Sequence, residues 1–166
     1  MTRTPTRRRT AARVASVQAL FQIDQSGDPA DQVIDQFLRH RLGAETAGTS
    51  KGNYEEGRIP EAEHALFSRV VRAATAGQAE RDVLLATVLP ADWPIERLDP
   101  VLRALLRAGL AELAMSDGAP ARVLINEYLD VAHSFFWGEE PRLVNAVLDR
   151  LARTLRPAEF PTEAAG

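Results

Sequence analysis

The sequence contains no cysteine. Disulfide frameworks, thiol catalysis and Cys-ligated zinc are thereby excluded, and a reduced compartment is permitted. No apolar run approaches the roughly 18 residues that a membrane span requires. The basic N-terminal stretch MTRTPTRRRTAARVASVQALF lacks the uninterrupted apolar core of a signal peptide, so a cytoplasmic location and no membrane partner are expected. Histidine is scarce. His40, His64 and His133 are scattered, and no pair has the i, i+4 spacing with an adjacent carboxylate that makes a helical metal site. There is no Walker loop and no Ser in a nucleophile elbow. Glu55-Glu56 and Glu139-Glu140 are adjacent carboxylates in turns, where a solvated pair is commoner than an acid–base couple. The expectation is no enzyme, no metal and no cofactor.

What is present is ordinary globular material. The chain has 166 residues, 45% hydrophobic and 26% charged, which suits one domain over residues 1–166. Its net charge of −3 conceals an asymmetry. Five of the 20 basic residues, Arg3, Arg7, Arg8, Arg9 and Arg13, fall within the first 23 positions, where there is no acid, leaving 15 basic against 23 acidic residues elsewhere. Phosphate neutralisation depends on where cations lie, so this distribution points to a local anion-binding patch; a solvated basic tail over residues 1–9 is the alternative.

Helical signals dominate and β-branched alternation is absent. Apolar residues recur at three and four, as in Val14, Val17, Leu20 and Phe21. A first helix is predicted over 8–25, stopped by Ser26-Gly27-Asp28-Pro29, with Asp28 as cap of a second helix to about 42 that buries Val33, Ile34, Phe37 and Leu38. Residues 43–60 contain four Gly and one Pro without helical period and read as a mobile loop. Helices follow over 61–76, with Ala65, Leu66, Val70 and Val71 inward, and over 78–88. A short turn at 95–98 precedes a helix from 100 to 115, capped by Asp99 with Pro100 at its first position. Leu102, Leu105, Leu106, Leu110 and Leu113 give that helix an aliphatic face. Two more helices are predicted, from Pro120 to about 137 and over 140–155, before a frayed tail at 157–166. The expected fold is all-α, a compact bundle of about seven helices.

The chemistry left over lies in the arginines. Cations at a helix N-terminus oppose the helix dipole, so Arg7, Arg8, Arg9 and Arg13 suggest an outside anion. Aromatics stand elsewhere in the chain at Phe21 and in Phe135-Phe136-Trp137. Guanidinium groups together with aromatic faces suit single-stranded RNA, whose bases stack while its phosphates pair with Arg. Core packing is the competing reading for Phe21 and Phe135.

Specific blocks resemble a known family. Arg7-Arg8-Arg9, Ala12, Arg13 and Val17-Gln18-Ala19-Leu20-Phe21-Gln22 resemble the N-terminal signature of NusB transcription antitermination factors. Leu106-Arg107-Ala108-Gly109-Leu110-Ala111-Glu112-Leu113, Val123-Leu124-Ile125-Asn126-Glu127 and Leu143-Val144-Asn145-Ala146-Val147-Leu148-Asp149 are similar to its later motifs, so the resemblance covers residues 7–25 and about 93–156. It implies an all-α fold and an RNA-binding antitermination factor within the transcription elongation complex. It further implies binding to boxA-type single-stranded RNA of nascent ribosomal transcripts together with NusE, a small-subunit ribosomal protein. Carried over residue by residue, it makes Arg7, Arg8, Arg9, Arg13, Phe21, Arg107, Phe135 and Arg142 RNA-binding and Glu139 partner-binding. The sequence departs from the family in the 43–60 insertion, in Phe21 where many members have Tyr, and in Phe136-Trp137 after Phe135. Two alternatives remain: an RNA-binding helper related to the N-terminal domains of ribosomal RNA methyltransferases, and a structural helical homodimer. Against the first stands the lack of Rossmann-like strands and of a glycine loop for a methyl donor.

Overall fold

The computed structural model describes residues 5–42 and 62–161, with Pro5 and Thr6 described by their backbone alone. The loop expected over 43–60 lies outside the described residues, as does the end of the tail, 162–166. Seven α-helices make up the described chain, with no strand among the described residues: α1 (Pro5–Ser26), α2 (Ala30–His40), α3 (His64–Ala76), α4 (Gln78–Val88), α5 (Pro100–Leu113), α6 (Ala121–Phe135) and α7 (Glu140–Leu155). Short 3-10 turns follow at Ile95–Arg97 and Pro157–Glu159. The chain divides into two compact units, Met1–Gly77 and Gln78–Gly166.

In the first unit α1, α2 and α3 pack on one another. Helix α1 is longer than its apolar period predicts, because it extends back to Pro5 and takes Arg7 into the helix. It stops at Gly27, whose φ of +74° is left-handed backbone and whose N–H returns to the Ile23 carbonyl at 2.9 Å. Asp28 does not cap α2. The N-cap position is Pro29, without a side-chain cap, and the Asp28 N–H instead donates to Ser26 Oγ at 3.1 Å. Val33, Ile34 and Phe37 of α2 are buried, and the Phe37 ring stacks on Phe67 of α3 with centroids 5.5 Å apart. Ala65 is exposed, contrary to expectation, because the buried stripe of α3 is Phe67, Val70, Val71 and Ala74, and Ala65 lies on the opposite side at 100° per residue.

In the second unit α5 is the central helix, packed by α4, α6 and α7. Asp99 caps it as expected, accepting from the N–H groups of Val101 (2.8 Å) and Leu102 (3.3 Å). Leu102, Leu105, Leu106, Leu110 and Leu113 are all buried, each contributing about 1.5–3 kcal/mol relative to exposure. Gly109 is what allows the close approach of α7. A Cβ there would stand 2.9 Å from Leu148 Cδ2, inside van der Waals contact. Helix α6 ends at Phe135, two residues sooner than predicted, because Phe136 is extended (φ −132°, ψ 145°). Leu124, Tyr128, Val131 and Ala132 of α6 are buried, whereas Val123 is exposed.

The chain beyond α7 is not frayed over 157–160. Arg156 donates to the carbonyls of Leu113, Glu112, Met115 and Ala119 at 2.6–3.1 Å, so its guanidinium occupies the negative end of α5. Glu159 accepts from the Ala121 N–H at 3.0 Å and supplies the N-terminal cap that Pro120 cannot give α6. The Phe160 ring lies under two guanidinium groups, Arg153 at 4.8 Å and Arg122 at 5.6 Å from its centroid.

Candidate RNA-binding residues

In the first unit the arginines fan around the start of α1. Arg7 and Arg9 are exposed and Arg8 is half-buried. No acidic residue stands in that first turn to favour the dipole. The turn is tied to the residue preceding α3: the Glu63 N–H donates to the Arg8 carbonyl at 3.1 Å, and Arg9 Nε lies 3.5 Å from Glu63 Oε2. This is a solvent-exposed ion pair, of the kind worth about 0–1 kcal/mol, which a phosphate can displace. Arg13 departs from the expected patch. It lies on the inward side of α1 with Ala12, Ser16, Val17 and Leu20, and is 3% exposed. Phe21 is half-buried, 14 residues beyond Arg7 on nearly the same helix face and therefore roughly 21 Å along the axis.

In the second unit Arg107 also departs from the surface role. Its fork grips Asp82 of α4, Nε to Oδ1 at 3.0 Å and Nη2 to Oδ2 at 2.8 Å, with the Arg107 side chain 11% exposed. A bidentate, nearly buried pair of this kind fastens α4 to α5. Phe135 is half-buried at the end of α6, its ring 6.3 Å from that of Phe136 and tilted by 51°. Arg142, in the first turn of α7, and Glu139, at its N-cap position without a cap hydrogen bond, are both exposed. Glu140 turns back on the same segment: a Cβ on Gly138 would meet its Oε2 at 2.8 Å, and that oxygen is buried without a hydrogen-bond partner among the described residues.

The second unit thus brings Phe135, Glu139 and Arg142 to one helix–turn–helix end and leaves Arg107 inside. Trp137, which the sequence presents only as part of the Phe135-Phe136-Trp137 aromatic run, is exposed at the centre of that turn. Among the described residues no cluster of three or more His, Asp or Glu is placed to hold a metal ion, and no helix is long and apolar enough to cross a membrane.

Seven helices, with exposed arginines at the start of the first and an exposed tryptophan in the turn before the last, define an all-α helical protein. The comparisons give the family. The sequence pattern of the NusB family matches residues 10–153, and the chain belongs to that family. It is 62% identical over 158 residues to the transcription antitermination protein NusB of Granulibacter bethesdensis, with 95% of each chain covered. It is 54% identical over 150 residues to the protein of the same name from Gluconobacter oxydans, covering 90% of this chain and 89% of that one. Among solved structures, NusB of T. maritima superposes with a TM-score of 0.71 at 25% identity, over 96% of this chain and 99% of the other. The solution structure of NusB from Aquifex aeolicus shares the fold, with a TM-score of 0.65 at 20% identity, over 98% and 97% of the two chains.

Proposed function

We propose that the protein is a non-enzymatic RNA-binding adaptor of transcription antitermination, acting in the cytoplasm on the transcription elongation complex. It binds boxA-type single-stranded RNA of nascent ribosomal transcripts, together with NusE. The observation that supports this most directly is the set of arginines in the first turn of α1, where Arg7 and Arg9 are exposed and the dipole gives cations no local reward. A phosphate backbone supplies the compensating charge. Phe21, Phe135 and Arg142 keep accessible surface for bases and phosphates, and Arg8 joins Arg7 and Arg9 on the phosphates. Arg107 contributes from inside, by fastening α4 to the central helix α5 on which α6 and α7 pack, and Arg13 belongs to the buried side of α1. Glu139 is exposed and acidic and suits the protein partner rather than the RNA.

Two components that share one RNA raise each other's effective concentration, so RNA affinity is greater with NusE than without it. The test is a titration of boxA-type RNA and a scrambled control with the protein alone and with NusE. Preferential binding of boxA-type RNA, tightened by NusE, is the expected result. Equal affinity for both RNAs with NusE present would sink the reading.

A further inference from the structure

The turn between α6 and α7 contains three consecutive aromatic residues whose surroundings differ. Phe135 and Phe136 are half-buried and lie against each other, whereas Trp137 is 98% exposed. An indole is ordinarily among the most extensively covered side chains of a folded protein, so one left wholly in water is a feature to be explained by a ligand. The extended Phe136 ends α6 and leads the chain off the helix, and Trp137 follows it into solvent.

We propose that the Trp137 indole is a stacking platform for an unpaired RNA base. The inference rests on the RNA-binding reading given above and extends it to a residue outside the family motifs. The surroundings favour a base over a protein side chain. A protein anchor works at the centre of a well-packed, desolvated patch, but the other large hydrophobic side chains exposed among the described residues, Val83 and Val123, belong to α4 and to the start of α6. Apart from Gly138, which has no side chain, the exposed residues nearest Trp137 in sequence are polar: His133, Ser134, Glu139 and Arg142. A base needs only a flat ring to lie on, and sequence-tolerant stacking of this kind is how single strands are held. Glu139 and Glu140 disfavour a phosphate at the turn itself, leaving the uncharged base as the part of the nucleotide that fits there. Arg142, in the first turn of α7, meets the adjoining phosphate.

The test compares wild type, Trp137→Ala and Trp137→Phe in binding a labelled boxA-type RNA. Because the side chain is almost wholly exposed, neither substitution disturbs folding. The Ala variant should bind about 5- to 150-fold more weakly, and Phe should restore most of the loss. The emission difference between wild type and the Ala variant isolates Trp137 from Trp93; it should show a solvent-exposed indole that is quenched as RNA saturates the protein. Unchanged RNA affinity in Trp137→Ala overturns the stacking role, and if Arg7→Ala/Arg8→Ala/Arg9→Ala still weakens binding, the RNA-binding function stands without it. A wild-type protein that does not distinguish boxA-type from scrambled RNA, alone or with NusE, overturns both. A variant that loses affinity for NusE while keeping that for RNA overturns the stacking role in favour of a protein contact.

Discussion

Tyr128 donates its hydroxyl proton to Glu112 Oε1 across 2.6 Å, joining α6 to α5 where both residues are buried. Glu112 stands among leucines and alanines on the most deeply buried helix of its unit, so its carboxyl group depends on protein donors in place of water. Removing the donor while keeping the ring isolates that dependence. Tyr128→Phe should destabilise the fold by about 1–3 kcal/mol, the cost of a buried polar group deprived of a partner. Denaturant melts measure it, and a double-mutant cycle with Glu112→Gln should show strong coupling between the two sites. Wild-type stability in Tyr128→Phe would mean that the carboxyl group is satisfied without the Tyr128 hydroxyl.

The cap of α6 gives a pH dependence. The Ala121 N–H, and after it the Arg156 guanidinium, hold the Glu159 carboxyl below its ordinary value of 4.5. A carboxyl whose folded value is depressed stabilises the fold above its unfolded value, and that contribution is lost as the pH falls from about 4.5 through the folded value. Glu159→Gln should therefore be less stable than wild type near neutrality, with the difference shrinking as the solution is acidified below that point. Parallel stability curves for the two proteins down the whole acid limb would refute the capping role.

How much of this could be read from sequence depended on how far apart the interacting residues lie. Asp99-Pro100 announced the start of α5 because a cap acts within three residues, and the leucine stripe of α5 is a local period. The Arg107 fork and the Arg156 guanidinium act across 25 and 43 residues, so no local pattern marked Arg107 as a clamp or residues 157–160 as docked. Arg13 belonged by sequence to the basic cluster and shares a helix face with Arg9, but it lies one turn further along α1 and is buried there, while Arg7 and Arg9 nearer the helix start are exposed. Trp137 was legible only as one member of an aromatic run, for the opposite reason. It sits next to two phenyl rings that are half-covered, and only the fold separates it from them.

The exposed arginines predict a salt-dependent fall in affinity. Replacing Arg7, Arg8 and Arg9 together with Ala should weaken RNA binding while leaving thermal stability close to wild type, because Arg7 and Arg9 are exposed and the Arg9–Glu63 ion pair is a surface one. Each single-strand phosphate that the variant no longer neutralises should lower the magnitude of the slope of log affinity against log salt by roughly 0.7. Titrations at several salt concentrations give the slope directly. A slope equal to that of wild type would remove this turn from the RNA interface.

Phe135 is where packing and binding compete within one side chain. It is half-buried against Phe136 at the end of α6, so truncation forfeits both buried surface and the ring face left open. Phe135→Ala should cost about 1–3 kcal/mol of RNA affinity. Its cost in stability should fall short of the roughly 3–5 kcal/mol of a fully buried phenylalanine. Phe135→Leu separates the two effects, since leucine keeps most of the apolar volume but offers no aromatic face. That variant should melt near wild type and still bind boxA-type RNA more weakly, measured by thermal unfolding and titration on the same preparation. A Leu variant of normal RNA affinity beside an Ala variant that is merely destabilised would assign Phe135 to the packing of the α6–α7 turn and leave base stacking to other residues.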